Sequence, residues 1–190
     1  KIIEQGEYKC GSYDQEVDLA SLQPGFNQVR FLVQDLATKS KLADVSKFYF
    51  EKGNGAIALS DYPIESHKQE WSNMRKNKSI EGNKLSVNGQ SFISGIGMHA
   101  SSTTVFDVGQ KFTTVRFSVG LDDESLCSDG VAVEVIGYGK SLAKTPFFKN
   151  SELHKVEANI AGVQKLTIKS FPNEGINCSH VDIINPVLIP

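Results

Sequence analysis

The 190-residue sequence predicts an all-β protein. Three observations carry this: short runs alternate apolar and polar residues, Gly- and Pro-containing turn signals separate them, and no stretch holds a convincing apolar period of 3.6. Strands spaced in this way build a sandwich or a barrel.

The first piece spans residues 1–54. Glu16-Val-Asp-Leu19 reads as a strand running to the Pro24-Gly25 turn. Gln28–Gln34 follows with Val29, Phe31 and Val33 on one face, and Lys47–Phe50 closes the segment. The order is strand, turn, strand, loop, strand. Roughly fifty residues barely make a self-sufficient core, so this part is expected to dock on the rest or to form a small sheet unit, a partial immunoglobulin-like domain. Glu51-Lys-Gly-Asn-Gly55 is the expected linker, because closely spaced glycines punctuate the backbone.

The second piece, residues 55–190, holds the clearest alternation. Thr104–Val108 and Thr114–Val119 flank Gly109-Gln110 and are expected to pair as a hairpin. Val131–Ile136, the Gly137-Tyr-Gly-Lys140 turn, Lys155–Ile160, the Ala161-Gly162 turn and Lys165–Lys169 follow. Val181–Ile184 and Val187–Ile189 close the chain. Pro186 interrupts that last run and has no N–H to give, so an edge, a bulge or a break is expected there.

A net charge of −2 gives no footprint for nucleic acid or an anionic membrane. Arg75, Lys76 and Lys78 read as a solvated loop. No apolar run is long enough to span a bilayer. The opening Lys1-Ile-Ile-Glu-Gln-Gly6 lacks the form of a signal peptide and suggests a mature or trimmed chain. Three cysteines, Cys10, Cys127 and Cys178, fit no metal or redox spacing.

Candidate site residues cluster at strand ends. Trp71 sits in the strongly polar stretch Ser66–Ser79, which is expected to be a long loop. Its indole would be either a platform for the C–H face of a sugar or an anchor pinning that loop. His99 follows Gly95 and Gly97, whose missing side chains admit close backbone or a ligand. It would donate to a sugar hydroxyl or satisfy an internal carbonyl or carboxylate, with Met98 and Ala100 in the core. Asp122, Asp123 and Glu124 offer carboxylates at a strand end, suited to sugar hydroxyls or to calcium, with one of them expected to cap its own turn.

Glycosidases need two carboxyl groups about 5 to 9 Å apart across the scissile bond, and neighbouring acids in one loop do not supply that. No nucleophile elbow, phosphate-binding loop or His-Glu-x-x-His helix is present. Catalysis is therefore not expected, which leaves a binding module or a structural or protein-docking sandwich. An exposed indole with converging polar groups would favour the former, and a flat face over a buried indole the latter.

Leu59-Ser-Asp61, Trp71, Leu85-Ser-Val-Asn-Gly89, Gly95-Ile-Gly-Met-His-Ala100, Val119-Gly-Leu-Asp-Asp-Glu124 and His180-Val-Asp182 together resemble the NPCBM family (novel putative carbohydrate-binding module) over residues 56–190. The resemblance implies a jelly-roll-like, galactose-binding-like β-sandwich that binds glycans without chemistry of its own and is attached to a secreted glycoside hydrolase. It places Trp71, Asn73, Arg75, His99, Asp123, Glu124 and His180 around a terminal-sugar pocket, with Asn177 and Asp182 on the same rim. No cofactor is required, and the acidic strand end at Asp122–Glu124 would also suit calcium. An extracellular, cell-surface or periplasmic bacterial location follows. If the loops adjoin as in the family, Cys127 and Cys178 would pair in a disulfide; otherwise they are two thiols. The sequence departs from the family at Ser179, where an acid is usual, and at Ile183, where tryptophan is usual, so sugar specificity does not carry over. The N-terminal part resembles the closing strands of small sandwich repeats in secreted bacterial proteins.

Overall fold

A computed structural model describes residues 25–34, 38, 41–50, 55–150 and 152–190. The first expected strand, near Glu16, and Cys10 lie outside the described residues. Gly25–Gln34 (β1) and Lys41–Phe50 (β2) form an antiparallel hairpin. β2 pairs in parallel with Gln90–Phe92 (β7), which in turn pairs with Leu85–Val87 (β6).

Two larger sheets face each other in the rest of the chain. One is ordered His154–Asn159 (β13), Thr114–Leu121 (β10), His180–Ile189 (β15), Gly95–His99 (β8), Arg75–Lys76 (β5), with Ile57–Ala58 (β3) added beside β15. The other is ordered Lys140–Lys144 (β12), Val131–Gly137 (β11), Lys165–Pro172 (β14), Ser102–Asp107 (β9), Ser66–Gln69 (β4). Alternation puts Ile96, Met98, Phe106, Val115, Phe117, Val119, Val133, Val135, Leu166, Ile168, Val181 and Ile183 into one shared core between them. The described residues contain no helix long and apolar enough to cross a membrane.

The expected hairpin between Thr104–Val108 and Thr114–Val119 does not form. β9 pairs with β14 and β4, whereas β10 pairs with β13 and β15 in the opposite sheet. The connection is an arch across the end of the sandwich, and its Val108 and Phe112 are buried in the core. Apolar alternation on both strands is satisfied equally by facing sheets, which is why the pattern misleads. The Ala161-Gly162 turn makes a second arch, from β13 to β14. The two arches bond side by side: Val108 N donates to Gln164 O at 2.9 Å, and Ile160 N donates to Thr113 O at 2.8 Å. β3 pairs with Val187 and Leu188, so Ile57 and Ile189 lie at this same end.

The expected Gly137–Lys140 turn forms, with Tyr138 at φ 54° and Gly139 at φ 69°, and it joins β11 to β12 in a hairpin whose second strand was not expected from the sequence. Pro186 resolves as a bulge inside β15: Arg116 faces Val187 while Ser118 faces Ile184, so Asn185 and Pro186 together oppose one residue. The ladder loses little, because Pro186 still offers its carbonyl to Leu59 N at 2.8 Å. Ser66–Gln69, read from its polarity as loop, is instead an edge strand whose residues alternate between exposed and half-buried.

Candidate functional site

The site lies on the outer face of the first sheet, at the end away from the arches. With Ile96, Met98, Val119, Leu121, Val181 and Ile183 turned into the core, the alternate residues of β8, β15 and β10 point outward. His99 pairs with His180 in register, and Gly97, Asp182 and Gly120 form the next row. Two of these glycines are needed for close approach. A Cβ on Gly97 would lie 2.3 Å from Lys78 O, and one on Gly120 would lie 2.5 Å from Val87 Cγ1. Residues 78–92 fold over this face, burying Leu85, Val87 and Phe92 against Ile184 in a second small core. The row of histidines is covered instead by Trp71.

Three rings meet there. The Trp71 indole stacks on His180, with centroids 5.4 Å apart and planes 7° apart, and meets His99 at 5.2 Å; the two imidazoles are 5.5 Å apart. Trp71 is 44% exposed, while His99 is only 3% exposed. Nδ1 of each histidine is buried with no hydrogen-bond partner among the described residues. Burial, reinforced by His180, holds His99 below the usual imidazole range, against smaller pulls from the Ala100 backbone and Glu70. His99 is therefore neutral near pH 7, with one nitrogen that accepts and one that donates.

Beside the rings is a carboxylate cluster. Asp122 and Asp182 are both fully buried, and the single Ser86 amide donates to both, at 3.2 Å each. One amide does not offset two buried charges, and Asp182 is pushed well above the ordinary carboxylate range, first by burial and then by Asp122. Asp122 also caps its own turn, accepting from Glu124 N at 2.8 Å. Asp123 accepts from Ser86 Oγ at 2.5 Å and Gly89 N at 2.9 Å, tying down the β6–β7 hairpin. Glu124 accepts from Asn83 Nδ2 at 2.5 Å through one oxygen, and its other oxygen is buried without a partner among the described residues.

Of the sequence-predicted residues, the fold brings Trp71, His99 and His180 together, with Glu124 and the Asp122–Asp182 pair on neighbouring positions of the same face. Asp123 is occupied in holding the hairpin. Arg75 is turned to the 80–82 loop, donating from Nε to Ile80 O at 2.9 Å. Asn73 and Asn177 are exposed in their loops. Among the described residues no group of three or more His, Cys, Asp or Glu side chains is arranged to hold a metal ion. Cys127 and Cys178 are joined by a disulfide with Cα atoms 5.3 Å apart, tying the loop after β10 to the strand start at His180. Gln69, Asn83 and Ser86 take part without having been singled out; Leu85–Gly89 carried the only sequence signal for any of them.

The double sheet presents an exposed indole beside two imidazoles, and its family match over residues 55–189 makes it a carbohydrate-binding module. Residues 55–189 match the NPCBM/NEW2 domain, and the chain belongs to that family. Among solved structures it is similar to the CBM51 module of Clostridium perfringens GH95 in complex with methyl-galactose, at 22% identity, TM-score 0.65, and coverage of 70% of this chain and 99% of that one. CBM51-2 with INT domains of Clostridium perfringens ZmpB, in complex with GlcNAc, is similar at 19% identity and TM-score 0.67, covering 87% of this chain and 37% of that one. The tandem CBM51 modules of Sp3GH98, a Streptococcus pneumoniae glycoside hydrolase, are similar at 22% identity and TM-score 0.64, covering 78% of this chain and 53% of theirs. No curated protein matches the chain in sequence.

Proposed function

We propose that the Trp71–His99–His180 face binds a terminal sugar of a glycan and so tethers a larger secreted protein to its substrate. The observation that carries this reading is the exposed indole lying beside two imidazoles whose Nδ1 atoms have no partner among the described residues. A sugar ring laid on the indole buries its C–H face and leaves its hydroxyls to bond polar groups beside it, His180 being the half-buried one of the two histidines. Solved relatives bound to methyl-galactose and to GlcNAc support a galactose- or GlcNAc-type ligand. An attached catalytic domain and an extracellular bacterial setting fit the hydrolase and ZmpB contexts of those relatives, and the Cys127–Cys178 bridge fits an oxidising compartment.

Hydroxyl bonds replace bonds to water at a net gain of about 1 kcal/mol each, so a dissociation constant on the order of 10⁻⁵ to 10⁻³ M is expected. That suffices for tethering, where linkage to a second binding domain raises the effective concentration. The test is a glycan array on the intact chain beside Trp71→Ala and His99→Ala. Loss of the wild-type signal in both variants is expected. Unchanged binding in folded variants would move the site elsewhere. Repeating the array in a calcium chelator separates a calcium-supported site from one that needs no ion.

A further inference from the structure

We propose that Gln69 is the positioning residue of the sugar-binding face, holding the Trp71 indole in place through a hydrogen-bonded chain rooted in the opposite sheet. The inference rests on the glycan reading of that face. Gln69 belongs to edge strand β4 of one sheet, yet its side chain reaches the backbone of β8 in the other. Its Oε1 accepts from His99 N at 3.3 Å, and its Nε2 donates to the Trp71 carbonyl at 2.7 Å. Both partners are main-chain groups whose donor or acceptor character is fixed, so they alone set which way round the amide lies.

That orientation propagates backwards along the strand. His67 Nε2 stands 3.0 Å from the same Oε1, so it must carry the proton. In the neutral ring Nδ1 is then the acceptor, and the Thr104 hydroxyl 2.8 Å away donates to it. Burial lowers the His67 pKa, which keeps this neutral form in place. Thr104 is fully buried on β9 and sits directly across from His67 in register. The chain thus runs from a buried hydroxyl through His67 and Gln69 to the carbonyl of the residue that carries the platform.

Trp71 needs such a restraint. Its ring is exposed, and the next residue, Ser72, turns the chain at φ 57°. Ring contacts with His99 and His180 set where the indole rests; Glu70 N holds the preceding residue to Ser101 O at 3.2 Å, and the Gln69 bond holds the Trp71 carbonyl itself. A platform held before the sugar arrives spares the ordering cost on binding. The β4–β9 ladder itself is made by backbone groups and does not depend on the Gln69 amide.

The chain contains a single tryptophan, so its fluorescence reports on this site alone. The experiment compares the full chain with Gln69→Ala and Gln69→Glu in acrylamide quenching without sugar, in titrations with methyl-galactose and GlcNAc, and in thermal unfolding. Gln69→Glu keeps acceptors for His99 N and His67 but puts an oxygen against the Trp71 carbonyl. It should therefore free the indole as much as Gln69→Ala does while leaving the unfolding midpoint near that of the wild type. Both variants are expected to quench more strongly and to bind sugar about fivefold more weakly, the loss of roughly one hydrogen bond. Quenching unchanged in both variants overturns the tether whatever the sugar data show. Stronger quenching with unchanged sugar affinity overturns the positioning role. A wild type that binds neither sugar overturns the glycan reading, while the quenching comparison still decides the tether.

Discussion

The indole of Trp71 and the imidazole of His180 lie nearly parallel, 7° apart in plane and 5.4 Å apart in centroid, although 109 residues separate them in the chain. Such a pair contributes about 0.5–1.5 kcal/mol beyond the area it buries. His180→Ala is accordingly expected to weaken sugar binding about two- to tenfold and to shift Trp71 emission to the red. Calorimetric titration and an emission spectrum check this; an unshifted spectrum would mean the indole is held without its histidine.

The buried carboxyls give a pH dependence of defined sign. Asp182 binds its proton more tightly in the folded chain than at its ordinary value of 3.8. The folded state therefore retains a proton that the unfolded chain releases, and this contribution to stability falls as pH rises from about 4 through the folded value. Asp182→Asn still offers an acceptor to the Ser86 amide and has no proton to lose. Thermal midpoints between about pH 4 and pH 8 should show a flatter slope for this variant and a gain over the wild type at the upper end. Identical slopes would assign the proton to another group.

Gly97 is covered by backbone, so its replacement is costly. Gly97→Ala places a methyl group 2.3 Å from Lys78 O and 2.7 Å from Ile80 N, neither of which is a flexible side-chain end. Overpacking of this kind costs about 1–3 kcal/mol. Urea unfolding should show that loss, whereas Gly89→Ala, which meets nothing within 4 Å, loses only what its φ of 68° imposes. Equal losses at both positions would remove the steric account.

The strand skeleton was legible where a residue's role is local. Tyr138-Gly139 fixes a tight turn by its own backbone preference, and the alternation in Gly95–Ala100 places Met98 and Ala100 in the core without reference to any partner. The pairing of β9 was not legible, because an apolar stripe says that a face is buried and not which sheet it faces. The ring cluster was half legible: Trp71, His99 and His180 stand out by type and place, but their stacking depends on three distant segments. Gln69 was invisible, since a glutamine among polar neighbours acquires meaning only from the His67, His99 and Trp71 groups around it.

The Cys127–Cys178 bridge closes a separation of 51 residues. In the chain-entropy account that restricts the unfolded state by about 4 kcal/mol. Cys127→Ser with Cys178→Ser is expected to lower the thermal midpoint by several degrees, about 10 °C or more if the full amount is lost. The same drop should follow when the wild type is reduced. A midpoint indifferent to reductant would show that the loop is already ordered in the unfolded chain.

The pairing of Ile57 with Leu188 puts the way into the sandwich and the way out of it next to each other at the arch end. β15 then runs its whole length before reaching His180 at the far tip. The two points differ in reach: a polypeptide joined after Ile189 starts at the arch end, as a hand starts at the wrist, whereas the strands before Ile57 double forward, β2 lying against β7 beside the palm.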